Sequence, residues 1–132
     1  METVFTEGKA KEALEQGIPE ATEVLKDTQK ATKLVEKLEK KLKNAKLNEA
    51  LESVPILISC LKSYIKREYT EIPVGTMIAI VSALIYWVSP WDLIPDYIPG
   101  IGQIDDAAVV MVCLTMVKAD LDEYKEWLAQ KT

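Results

Sequence analysis

The sequence predicts an all-α fold: a small helical bundle of about five helices with a central apolar helical hairpin closed by a Pro/Asp-rich loop. Three observations carry this. Apolar residues recur at spacings of three and four along most of the 132 residues, which is the period of a helix face. No stretch alternates apolar and polar residues for long, and no Asn-Gly or Asp-Gly pair joins two such runs, so a hairpin of strands has no signal. Hydrophobic residues make up 48% and charged residues 28%, enough apolar matter for a core and too much for a disordered chain. A chain of this length is one domain or one domain with an arm. The composition places a basic amphipathic helical arm at residues 1–46 and a helical domain at residues 47–132.

A long first helix is expected from Pro19, at an early position where its missing N–H costs nothing, with Glu20 and Glu23 near the positive helix end. Val24, Thr28, Ala31, Val35, Leu38, Leu42 and Ala45 then alternate in spacings of four and three, a heptad seam of about three repeats. That seam needs a partner helix. One from the same chain is the expectation; the alternative is a homo-oligomer joined through residues 24–45. The same helix is basic, with Lys26, Lys30, Lys33, Lys37, Lys40, Lys41, Lys43 and Lys46 against Asp27, Glu36 and Glu39. Such a face suits an anionic lipid surface. It also suits plain solvation aided by Glu36–Lys40 and Glu39–Lys43 pairs, which is the reading the sequence favours.

A second amphipathic helix, through Leu51, Val54, Leu57, Leu61 and Ile65, should run from Leu47 to about Tyr69, with Ser53 and Pro55 marking a kink or a fresh start. A third should span residues 73–88. Every residue from Ile72 through Trp91 is uncharged, close to the ~20 apolar residues that cross a bilayer. A fourth, residues 105–117, contains the apolar run AAVVMVCLTMV, and a fifth, residues 120–129, places Leu121, Tyr124 and Leu128 on one side. Trp87 and Trp91 are the expected apolar anchors.

Between the third and fourth helices stands SPWDLIPDYIPGIGQIDD, residues 89–106. Ser89, Pro90 and Asp92 have the arrangement of a helix start, with a cap, a proline at the first position and a carboxylate able to reach back to the cap N–H. Pro95 and Pro99 hold the residues before them extended, and Gly100 and Gly102 permit positive φ, so the link is a stiffened loop. Asp105 and Asp106 open the fourth helix at its electropositive end. The chain here resembles the YkvA-like domains of unknown function, small bacterial helical units with a pattern close to Tyr-x-x-SPxDLIPDxIPxxGxxDD. The matching residues are Tyr86, Ser89, Pro90, Asp92, Leu93, Ile94, Pro95, Asp96, Ile98, Pro99, Gly102, Asp105 and Asp106. The resemblance covers residues 50–128 and leaves out the lysine-rich arm. It implies a helical hairpin closed by the motif loop, association with membranes, and no established reaction.

The four aspartates Asp92, Asp96, Asp105 and Asp106 raise the alternative of a divalent-cation site, since Ca²⁺ and Mg²⁺ take oxygen ligands. Their spacing does not match an EF-hand loop, and each has a structural role as a cap or turn residue, so capping is the expectation. The chain has no histidine, which removes the commonest metal ligand and general base and every Ser-His or Cys-His nucleophile. Catalysis by paired carboxylates would need a cleft and a raised pKa. No catalytic residue, cofactor or metal is therefore expected. Cys60 and Cys113 form no CxxC pair and read as buried, reduced thiols. Residues 72–132 hold three Lys against eight Asp/Glu and the net charge is −5, a poor balance for nucleic acid.

The N-terminal METVFTEGKAKEALEQG is polar and lacks a signal peptide's apolar core, so the expected location is cytoplasmic with membrane association. Tyr86, Trp87, Trp91 and Tyr97 crowd one end of the uncharged helix like an interfacial belt, and Lys62, Lys66 and Arg67 precede it. Insertion of residues 72–91 is thus the alternative to a bundle in which that helix is simply the central one. Taken together, the residues predict a non-enzymatic interaction or membrane-proximal module whose partner is a protein or a membrane surface.

Overall fold

The computed structural model describes residues 11, 12, 14–44, 52–88 and 106–131. Among them the regular structure is helical: α1 (Ile18–Lys26), α2 (Thr28–Asn44), α3 (Val54–Ile65), α4 (Val74–Val88) and α5 (Asp106–Lys131), with residues 11, 12 and 14–16 also helical ahead of α1. α4 is the axis. It packs most extensively on α5 and α1, then on α3 and α2, while α2 and α3 pack on each other. Nine of its 15 residues are buried, including Met77, Ile80, Leu84, Tyr86 and Trp87. A helix apolar on all sides belongs where helices surround it, and the pairing of α4 with α5 supplies the central apolar hairpin.

The expected long first helix is two helices. Asp27 adopts an extended backbone (φ −123°, ψ 106°), and its Oδ1 accepts from the N–H of Gln29 at 2.9 Å and of Lys30 at 3.3 Å. These are the donors that a helix start leaves unpaired, so Asp27 ends α1 and caps α2. The heptad seam therefore turns a corner, with Val24 on α1 and Ala31, Val35 and Leu38 on α2, all buried in the chain's own core. Leu14, which precedes α1, is anchored there too: its carbonyl accepts from the buried Ser82 Oγ at 2.6 Å.

α3 carries Pro55 in its first turn and stops at Ile65, short of the expected Tyr69. Arg67 takes a left-handed backbone, φ 61°. Its N–H donates to the Tyr64 carbonyl at 3.1 Å and the N–H of Glu68 to the Ser63 carbonyl at 2.9 Å, the paired bonds of a Schellman ending. The chain then turns through Tyr69 and Ile72, both buried, into α4.

The fourth and fifth expected helices are one, α5, 26 residues long. Val117 and Leu121 are separated by Lys118, Ala119 and Asp120, with no Gly or Pro to break the ladder and two good helix formers to carry it. Asp120 is where the sequence predicts the fifth helix to begin. Instead its Oδ2 accepts from Thr76 Oγ1 on α4 at 2.6 Å. Lys118 reaches Asp122 at 3.0 Å one turn on.

Candidate functional site

The motif residues Ser89, Pro90, Asp92, Pro95, Asp96, Pro99, Gly102 and Asp105 lie outside the described residues, as do Trp91, Tyr97 and the boundary at residues 46/47. Asp106 is the first residue of α5; its side chain is outside the described set. Among the described residues no group of three His, Cys, Asp or Glu side chains could hold a metal ion. Nor is any described helix long and apolar enough to cross a membrane. α4 has 15 residues, about 22 Å of helix against a hydrocarbon core of about 30 Å.

The two thiols offer no nucleophile. Cys60 Sγ lies 4.0 Å from Met77 Sδ and Cys113 Sγ points at the Ala79 carbonyl at 3.5 Å. Burial pushes each thiol up from its usual value of 9.0 to about 12, so the reactive thiolate is scarce at neutral pH. The buried hydroxyls are likewise committed: Tyr124 OH is shared between Ser59 Oγ at 2.6 Å and Ser63 Oγ at 3.0 Å. Its ring packs with Tyr69 and Trp127, centroids 5.2 and 5.7 Å away. These groups stabilise the junction of α3 and α5.

The described surface with the clearest chemistry is the basic edge of α2. Spacings of three and four bring Lys30, Lys33, Lys37, Lys40 and Lys41 onto one arc of about 100°, beside the arc that buries Leu34 and Leu38. Glu39 points away from it and pairs with Lys62 of α3 at 2.9 Å rather than with Lys43. The ridge runs to the end of α4. There Lys41 Nζ donates to the Trp87 carbonyl and stands 4.7 Å from the centroid of the Trp87 ring. A cation at that place satisfies a last-turn carbonyl and the negative end of the helix dipole. Sequence reasoning found the lysines but not this clamp, because the link from residue 41 to residue 87 has no local signal.

Between the ridge and α1 lies a groove of about 260 Å³. Lys30, Lys33 and Lys37 form one wall and Glu20 and Glu23 the other, over an apolar floor that includes Leu34, Ile85 and Val88. No ion pair among the described residues joins the two walls. The arrangement can hold charged groups of either sign near the α4 terminus.

A family profile described as "Protein of unknown function (DUF1232)" matches residues 76–112, from the first turn of α4 into α5. The uncharacterized membrane protein YkvA of Bacillus subtilis (strain 168) is 33% identical over 89 residues, which are 67% of this chain and 84% of that protein. No solved structure matches.

Proposed function

The chain belongs to the YkvA-like family of uncharacterised helical proteins, and from that premise we propose that it is a non-enzymatic, membrane-proximal module that meets an anionic lipid surface with the lysine ridge of α2. The single observation behind this reading is the ridge itself: Lys30, Lys33 and Lys37 are exposed along one edge, without an ion pair among the described residues. The Bacillus relative's description as a membrane protein supports it. The burial of α4 among the other helices favours attachment from one side over insertion.

Cations near an anionic leaflet contribute about 1 kcal/mol each, so the three together contribute about 3 kcal/mol, screened by salt. The test is co-sedimentation of the full chain with vesicles of phosphatidylcholine containing a quarter phosphatidylglycerol. Binding should appear at low ionic strength, weaken steeply as salt rises, and vanish in Lys30→Glu/Lys33→Glu/Lys37→Glu with the helical circular dichroism unchanged. A chain that stays in the supernatant, or a triple variant that pellets like the parent, would defeat the proposal.

A further inference from the structure

We propose that the groove between α1 and α2 seats the phosphoethanolamine headgroup of phosphatidylethanolamine, a zwitterionic lipid within the surface that the ridge meets; this deepens the membrane-proximal reading and rests on it. Glu20 and Glu23 stand one turn apart on α1, so both carboxylates occupy the same wall. Lys30, Lys33 and Lys37 follow i, i+3, i+7 along about 10 Å of the facing helix. The matching ligand carries both signs a few ångströms apart and an apolar side.

The exposed lysines meet an anionic leaflet from outside, but a lone anion seated inside the groove would also face Glu20 and Glu23, and a lone cation seated there would face three ammonium groups. A phosphate with a primary amine two carbons away satisfies both walls. The amine's three N–H donors reach carboxylates, which a choline headgroup, lacking N–H, cannot do. The glycerol and upper acyl segments then lie over the apolar floor at Ile85 and Val88. At 260 Å³ the groove accommodates a headgroup and excludes a folded protein element.

The experiment compares the full chain on two vesicle series with the same phosphatidylglycerol fraction, one diluted with phosphatidylcholine and one with phosphatidylethanolamine. The ethanolamine series should bind about threefold tighter, the effect of one exposed charged pair of about 0.6 kcal/mol. Glu20→Gln/Glu23→Gln, with unchanged circular dichroism, should abolish that preference while still binding phosphatidylglycerol. Equal affinity of the parent for both series overturns the headgroup assignment alone. A double variant that keeps the preference also overturns it, since lipid packing and not the carboxylates would then be the cause. Failure to bind either series overturns both this assignment and the reading beneath it.

Discussion

Tyr124 is fully buried, and its hydroxyl is held between two serines of α3. Tyr124→Phe keeps the ring packing and strands Ser59 and Ser63, so it should cost about 1–2 kcal/mol, seen as a lower urea midpoint with an unchanged slope. Arg67 behaves oppositely. An L-residue in the left-handed region carries a penalty of about 1 kcal/mol, and glycine removes it while adding some freedom to the unfolded chain. Arg67→Gly should therefore raise stability by about 0.5 kcal/mol, and Arg67→Val should lower it. The thiols set an alkaline limit. Cys60 and Cys113 are raised from 9.0 to about 12 in the fold, so the stability they contribute is complete below pH 9 and is lost as pH rises through 12. Tyr69 is raised in the same sense, by burial first and then by Glu123. The melting temperature should decline from pH 9 upward, less steeply in Cys60→Ala/Cys113→Ala than in the parent.

At the scale of elements, Asp27 makes one helix into two. Its cap bonds to Gln29 and Lys30 predict a loss of about 1 kcal/mol for Asp27→Ala, measured by thermal melting, with Asp27→Asn nearly neutral. The element order was legible from the sequence because apolar periodicity and helix-start prolines are local signals: α1 begins beside Pro19, α3 carries Pro55 in its first turn, and α4 follows Pro73. Three features were not legible. A mid-helix aspartate reads alike whether it caps or not, so the sequence does not separate Asp27, which ends one helix and starts the next, from Asp120, which lies inside one; the cap bonds of the first and the contact of the second with Thr76 distinguish them. The end of α3 rests on Arg67 where glycine is the usual signal. The Lys41–Trp87 clamp and the Ser82–Leu14 bond join residues far apart in the chain. Of the residues read from the motif, all but Tyr86, buried on α4, and the backbone of Asp106 fall outside the described residues, whereas the lysine ridge lies within them.

Across the whole molecule, charge and burial set how the chain can approach a membrane. The net charge is −5 and the acidic excess lies in residues 72–132, where α5 exposes Asp122, Glu123 and Glu126. If the ridge meets an anionic surface as proposed, that surface repels the acidic side chains of α5 and attracts α2, which would favour one orientation of the molecule. Of the apolar residues that resemble a bilayer span, Met77 and residues 80–87 are buried on α4 against its neighbouring helices; exposing them to lipid would require dismantling the core they share with Leu14, Ala21 and Val24. The most direct measurement of that claim is alkaline carbonate extraction of membranes from cells producing the full chain. The account predicts release of the protein into the supernatant, together with release by high salt at neutral pH. Retention in the carbonate pellet would mean that α4 resides in the bilayer and would contradict it.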